Sequence, residues 1–193
     1  HGLNAVPELV IAKRLSANQY WAIYHKDVHP NVLFFSTSAA ASSQEQYNEA
    51  RPTSSVVEFG SNGGATNTSG DESILYCFAP VEGYSAMGSY TGNGSADGIF
   101  IYTGFTPSWL LFKRHDAGSD WTIYDTARDP HNVAGNKLEP NTSDAESAEG
   151  AVVDILSNGF KFRRGSLENG GNDQYIYMAF ASHPFASNGG LAR

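Results

Sequence analysis

Apolar residues in this chain come in short runs that alternate with a period of two and are broken by Gly, Asn, Ser and Asp, a spacing that predicts strands rather than helices. In the second half the pattern predicts strands at 99–102, ended by Gly104, and at 109–113. The Asp116-Ala117-Gly118 turn then leads into a strand at 121–124, giving a hairpin with a polar loop. Along the first arm Trp109, Leu111 and Lys113 share one face, and Leu110, Phe112 and Arg114 share the other. Both faces are apolar up to the Lys-Arg pair, which predicts a central strand covered on both sides with that pair at its rim. Segments 152–156 and 160–163 flank Ser157-Asn158-Gly159, where Asn-Gly suits the two positive-φ positions of a type I′ turn. A strand at 175–180 closes the set, and the Gly- and Ser-rich stretch 85–98 reads as a linker. The one helical pattern is 42–49, where Ser42 and Glu45 have capping-box spacing.

The pattern occurs twice. Pro7-Glu8-Leu9-Val10-Ile11-Ala12-Lys13-Arg14, followed by Trp21-Ala22-Ile23-Tyr24, returns as Pro107-Ser108-Trp109-Leu110-Leu111-Phe112-Lys113-Arg114, followed by Trp121-Thr122-Ile123-Tyr124. Every position lies 100 further on, 13 becoming 113 and 21 becoming 121. Val56-Val57 returns as Val152-Val153, with Asn62-Gly63 as Asn158-Gly159, and Leu75-Tyr76-Cys77 returns as Ile176-Tyr177-Met178. Length differences confined to polar stretches fit surface loops, and the unit is longer than the ~20–50 residues of a solenoid repeat. The expected architecture is all-β: two tandem homologous antiparallel β-sandwich modules, jelly-roll or lectin-like, from an internal duplication, spanning 1–88 and 89–193. The spacing leaves open whether they share one core. Positions kept in both copies are expected to serve packing. Lys13, Arg14, Trp21, Tyr24, Lys113, Arg114, Trp121 and Tyr124 are therefore read as scaffold, with the Lys-Arg pairs meeting Asp125 or a loop carboxylate. Any site is expected where the copies differ.

Charge narrows the partners. The formal net charge is −8 and the basic residues cluster no further than pairs, which argues against a nucleic-acid partner. No apolar run approaches the ~18 residues of a membrane span. Cys77 is the only cysteine; aligned with Met178 it reads as a buried soft apolar side chain, and a chain without disulfides suits folding in a reducing compartment. Asn67-Thr68-Ser69, Asn93-Gly94-Ser95 and Asn141-Thr142-Ser143 serve as loop markers. The opening at His1, without methionine or a signal-peptide pattern, reads as a fragment or a processed product.

Asp116, Asp120, Asp125 and Asp129 crowd the second hairpin, and calcium takes six to eight oxygens, but their spacing matches no defined calcium motif. They read as solvated turn residues, and no cofactor is expected. His25, His29, His115, His131 and His183 lack zinc-ligand spacing, and there is no Gly-x-Ser-x-Gly elbow. The carboxylate pairs Asp71-Glu72 and Glu146 with Glu149 read as loop solvation, so no metal and no catalytic residue is predicted and the chain is not expected to be an enzyme. Exposed aromatics are the better lead, because sugar rings present flat C–H faces to an aromatic platform flanked by a few polar groups. Trp109, which replaces Leu9, is the first candidate, with Tyr90 and Tyr102 near the boundary and Asp116 and Asp120 as polar partners.

The Lys-Arg pairs, Trp121-Thr122-Ile123-Tyr124-Asp125, Leu156-Ser157-Asn158-Gly159-Phe160-Lys161, and 175–181 followed by Pro184-Phe185 together resemble a repeated β domain of tailed-phage virion proteins. These are tail fibre or receptor-recognition proteins of uncharacterised function, often from marine or cyanobacterial phages. Residues 1–7 look like that family's entry strand and 84–94 like its linker. The resemblance brings no catalytic or binding residues with it. It implies a context, a virion appendage made in the host cytoplasm and in contact with other virion proteins; within that context the chain is expected to bind a host surface glycan or receptor without chemistry. It also implies a homo-oligomer, a trimer being one such form, with weak sites multiplied by copy number. A structural spacer or decoration module and a polysaccharide depolymerase are the alternatives.

Overall fold

A strand that is apolar on both faces needs two covers, and segment 109–113 receives both. The computed structural model describes residues 1–43, 46–47, 51–60 and 64–183. Its strands make three four-stranded antiparallel sheets. Sheet I contains β1 (Leu9–Arg14), β2 (Ala22–His25), β3 (Leu33–Phe34) and β4 (Ser73–Phe78), in the order β3-β2-β1-β4. Sheet II contains β5 (Ser85–Thr91), β7 (Pro107–Arg114), β8 (Thr122–Asp125) and β12 (Gln174–Ala181), in the order β5-β12-β7-β8. Sheet III contains β6 (Phe100–Tyr102), β9 (Ala134–Lys137), β10 (Ser147–Leu156) and β11 (Gly159–Phe162), in the order β6-β11-β10-β9. Among the described residues no helix is long and apolar enough to cross a membrane.

Sheet II is the middle layer. Leu110, Phe112, Tyr124 and Ala179 pack on Val152, Val153, Phe160 and Phe162 of sheet III. From the opposite face Leu111, Trp121, Ile176 and Met178 pack on Leu9, Ile23 and Leu33 of sheet I. Sheet I is covered in turn by irregular chain, where Val10, Ala12, Ala22 and Tyr24 meet Tyr47 and Ala65. The two halves therefore share a buried interface. At about 1.5–3 kcal/mol for each large apolar side chain, that interface is a major part of the fold.

The two hairpins have one register. Leu9↔His25 through Ala12↔Ala22 corresponds to Trp109↔Asp125 through Phe112↔Thr122. β4 and β12 differ from the sequence alignment by one residue, since Ile11 pairs with Tyr76 but Leu111 pairs with Met178. Cys77 thus corresponds to Ala179, not to Met178. A one-residue slip reverses the face of a strand, and Cys77 accordingly packs half-buried beside Val10 on the outer side of sheet I.

The Lys-Arg pairs divide their work. Lys113 is buried, yet it meets no carboxylate among the described residues: Nζ donates to the carbonyls of Ser119 at 2.6 Å and Ser38 at 3.1 Å. Lys13 does the same for Gln19 at 2.9 Å and Ala17 at 3.4 Å. Each lysine ties off the turn of its own hairpin, and burial lowers the Lys113 pKa to about 8. The arginines take the carboxylates. Arg14 pairs with Asp71, and Arg114 pairs with Asp173 at 2.7 Å and Asp116 at 2.8 Å. Asp125 bonds Arg128 at 2.6 Å instead, so the expected Lys–Asp125 pairing does not form.

Several local expectations change. The 85–98 stretch is not simply a linker, because β5 lies within it and pairs with β12 along its length. Gly88 reflects close packing rather than flexibility: a Cβ there would lie 2.8 Å from the Tyr177 ring. The boundary expected at 88/89 falls inside β5. The β10–β11 hairpin is present, but Leu156 pairs with Gly159, leaving Ser157-Asn158 at the tip, and neither Asn158 nor Gly159 has positive φ. The turn is therefore not type I′. Gly159 instead admits β6, since a Cβ would lie 2.1 Å from the Ile101 carbonyl oxygen. In 42–49, Ser42 bridges Val32 and Tyr47 bridges Phe59, so these positions are not helical. Glu45, Asn62-Gly63 and Pro184-Phe185 lie outside the described residues. The two tryptophans also part company. Trp121 is buried between sheets I and II, its Nε1 donating to the Phe34 carbonyl at 3.1 Å and its ring 5.0 Å from Phe35. Trp21, expected in the core, is half-buried beside Tyr20 and Ser36 at the surface.

Trp121→Ala should cost about 3–5 kcal/mol in urea unfolding, and Trp21→Ala less than half of that. The wild type should unfold in a single transition, because the halves share a core; a biphasic curve would contradict that interface.

Candidate functional site

The halves diverge around Tyr24 and Tyr124, which occupy the same register position. In the first half Tyr47 stands 5.8 Å from the Tyr24 ring and donates its hydroxyl to the Val10 and Ala22 carbonyls, plugging the face. In the second half Tyr124 instead donates to Oε1 of Glu168 at 3.2 Å. Glu168 lies in a 3₁₀ turn (Leu167–Asn169) and is buried, and its Oε2 has no hydrogen-bond partner among the described residues.

Glu168 forms part of the wall of a cleft of about 220 Å³. Asp120, Thr122, Lys137 and Glu139 line it with Arg114, and Phe112, Leu167 and Tyr175 supply apolar surface. The cations already have partners: Lys137 contacts Glu139 at 2.7 Å and Glu149 at 3.4 Å, and Arg114 holds Asp116 and Asp173. Asp120 accepts from Asn141 Nδ2 at 2.7 Å. The Glu168 carboxyl is the group left over. Burial, the largest influence, raises its pKa, against hydrogen bonding from backbone, Thr122 and Tyr124 and the charge of Lys137.

The segment around Glu168 is fixed from several sides. Tyr90 donates to the Glu168 carbonyl at 2.8 Å, and Tyr175 donates to the Leu167 carbonyl at 2.6 Å while accepting from Gly170 N at 3.0 Å. Asn169 is buried and its amide donates to Asn93 Oδ1, Ser95 O and Arg164 O. These contacts hold Leu167 at φ +55°, a left-handed conformation that costs a leucine roughly 1–2 kcal/mol. Leu167 is exposed at the cleft and Glu168, next to it, is buried. The arrangement is a preorganised polar recess, with acceptors in excess of free donors.

The residues expected to bind ligand do not converge. Trp109 is half-buried in the sheet I–II interface, 5.9 Å from the Phe180 ring, so it offers no open platform. Tyr90 stacks on Tyr175 at 5.0 Å and packs in the core between sheets II and III, where burial raises its pKa. Tyr102 is 68% exposed on the edge strand β6 and does not line the cleft. Asp116 is exposed and bound to Arg114. Only Asp120 reaches the cleft. The four aspartates do not form a cation cluster: Asp116 and Asp125 pair with arginines, Asp120 with Asn141, and Asp129 caps Gly135 N and Asn136 N at 2.9 and 2.7 Å. Glu168 escaped sequence reasoning because Ser166-Leu167-Glu168-Asn169-Gly170 reads as an ordinary polar turn; the one signal was its place in a stretch that the first copy does not reproduce.

A carboxyl whose folded pKa is raised favours folding while protonated. That contribution is complete below the ordinary glutamate value of 4.5 and is lost as pH rises through the folded value. Glu168→Gln, which cannot ionise, should therefore gain stability relative to wild type as pH rises from about 4 to about 7. Thermal melts of both proteins across that range test it, and a difference independent of pH would show that the buried carboxyl is not strained by ionisation.

Comparison with curated proteins and with solved structures gave no match. A family model described as a domain of unknown function (DUF7483) matches residues 1–184, nearly the full length, and the chain belongs to that family.

Proposed function

We propose that this chain is a non-catalytic carbohydrate-binding module of a virion appendage, a tail fibre or receptor-recognition protein, and that it holds a sugar of the host surface in the Glu168 cleft. The ligand class rests on one observation above all, the buried Glu168 carboxyl with an unpartnered Oε2 in a rigid polar recess. Sugar hydroxyls both donate and accept, and they satisfy such a group without chemistry. Asp120 and Glu139 add acceptors, Arg114 and Lys137 add donors, and Leu167 and Tyr175 offer apolar surface to a ring face. The recess is smaller than the ~300 Å³ at which drug-sized sites begin, so it suits a single ring or chain end rather than a long polysaccharide. The virion context, assembly with other virion proteins and homo-oligomerisation rest on the sequence resemblance. The shared hairpin register supports a tandem duplication, with β5 belonging to the second unit through its pairing with β12. Weak single sites would then act through many copies on one particle.

One observation favours a depolymerase as the second reading. Three carboxyls, Asp120, Glu139 and Glu168, line one cleft, and the Glu168 pKa is raised as a general acid requires. A glycan array separates the readings. Wild type should bind a restricted set of glycans, and Glu168→Ala and Asp120→Asn should each weaken binding roughly tenfold or more, the loss expected for truncating a buried polar contact. Uniform absence of binding would remove the adhesin reading in favour of a spacer. Release of reducing ends from host polysaccharide, abolished by Glu168→Gln, would make the chain an enzyme.

A further inference from the structure

Sheet II carries, beside β12, an edge strand that sheet I lacks beside β4 among the described residues. β4 runs against β1 as β12 runs against β7: Ile74, Tyr76 and Phe78 pair with Lys13, Ile11 and Leu9, and Ile176, Met178 and Phe180 with Lys113, Leu111 and Trp109. The far edge of β12 is closed by β5, from Gln174↔Thr91 to Phe180↔Ser85. The far edge of β4 has no strand against it among the described residues. The consequence shows in exposure. Ile176, Tyr177 and Met178 are 1%, 8% and 4% exposed, whereas Ile74, Leu75 and Tyr76 are 36%, 36% and 43% exposed.

Open edges are normally blunted by charge, proline or a bulge, and β4 has none of these: Ser73–Phe78 is uncharged, lacks proline and pairs with β1 without a register shift. A groove of about 530 Å³ runs beside it, with Leu75 and Cys77 of the strand facing Leu3, Val57 and Phe59. On the other face β12 meets β4 where the Phe78 and Phe180 rings stand 6.2 Å apart, and β5 lies one strand further out. Met87 of β5 is buried in the cluster that joins sheets I and II. A strand laid along β4 would therefore sit beneath β5, with a roof on one side and the apolar groove on the other.

We infer that the β4 edge accepts one added antiparallel strand, an uncharged extended peptide segment with the chemistry of β5. Main-chain hydrogen bonds to β4 supply the attachment, as in β-strand addition generally. Its side chains alternate between the groove at Leu3, Val57 and Leu75 and the face of β4 that carries the exposed Tyr76 and Ile74, so small or apolar residues fit both rows and a charge fits neither. A whole second copy does not fit edge to edge. A two-fold axis would place the partner's own β12 where β5 already lies.

A fluorescent peptide with the sequence of residues 83–94, titrated into the full chain with hydrogen exchange followed at 73–78, tests this. Saturable binding with a dissociation constant below ~1 mM is expected, with exchange at 74–77 slowed at least ~10-fold. Leu75→Lys in the protein, at an exposed position, should abolish both effects while leaving the melting temperature and any glycan binding unchanged; a peptide carrying Met87→Lys should fail as well. Absence of saturable binding up to that concentration overturns the proposal, and so does binding that Leu75→Lys leaves intact. Protection at 74–77 that rises with protein concentration, without peptide, overturns it in favour of a second copy. None of these outcomes depends on the Glu168 cleft.

Discussion

The central sheet must be buried on both faces, and much of the rest follows from that constraint. β7 and β12 carry large apolar side chains toward both neighbours, with Leu110 and Phe112 facing sheet III and Leu111 facing sheet I. Neither outer sheet can be removed without exposing several residues worth about 1.5–3 kcal/mol each. The stack also explains why a lysine is tolerated inside. Lys113 continues the row of Trp109 and Leu111 to the end of the strand, where the first half's Ser38 carbonyl and its own hairpin's Ser119 carbonyl receive the ammonium. Burial depresses its pKa, and the same burial makes those two hydrogen bonds stronger than they would be in water. A side chain from the second half thereby closes a backbone gap in the first.

The same stack sets the conditions for the cleft. Tyr124 is fully buried between sheets II and III, so whatever its hydroxyl meets is also removed from water. In the first half the corresponding region is filled by Tyr47, whose hydroxyl is satisfied by two carbonyls. In the second half the Tyr124 hydroxyl meets a carboxyl, one of whose oxygens has no hydrogen-bond partner among the described residues, a group that ordinarily costs about 1–3 kcal/mol and more when charged. Leu167 adds backbone strain at the next position. A fold that needed only packing would keep the tyrosine plug. Two local costs fall at adjacent residues and are held in place by Tyr90, Tyr175 and Asn169, and that concentration is what makes the cleft the candidate site.

Strand positions and their two-sided burial were legible in the sequence, because period-two alternation and apolar content depend on neighbours a few residues away. The segments expected at 109–113, 121–124 and 175–180 lie inside or within one residue of β7, β8 and β12. The Lys-Arg pairs, read as scaffold because they repeat with their strand, bond turn carbonyls through the lysines and carboxylates through the arginines. Less visible was anything that depends on which backbone approaches which. Gly88 and Gly159 read as linker and turn glycines, yet each is glycine because a Tyr177 ring or an Ile101 carbonyl leaves no room for a Cβ. The Cys77 alignment failed by one residue because identity at Tyr76 and Tyr177 outweighed register, and a pleated strand turns that single step into the opposite face. Trp109 was the most attractive platform on sequence grounds, and it is half-buried because the sheet I–II interface needed a large ring opposite Phe180.

Repetition also misleads about equivalence. Two hairpins with one register present the same backbone to quite different surroundings, since sheet II has a sheet on each side whereas sheet I has a sheet on one side and irregular chain on the other. Trp121 is enclosed and Trp21 is not, although both open the same β-strand motif. Kept positions are scaffold where the side chain bonds its own hairpin, as Lys13 does with Gln19 and Lys113 with Ser119. Side chains that reach out of the sheet do not follow that rule, because the neighbours they reach differ between the two halves. The halves therefore diverge at the outward-reaching positions, and Tyr124, with Glu168 in place of Tyr47, is a clear case.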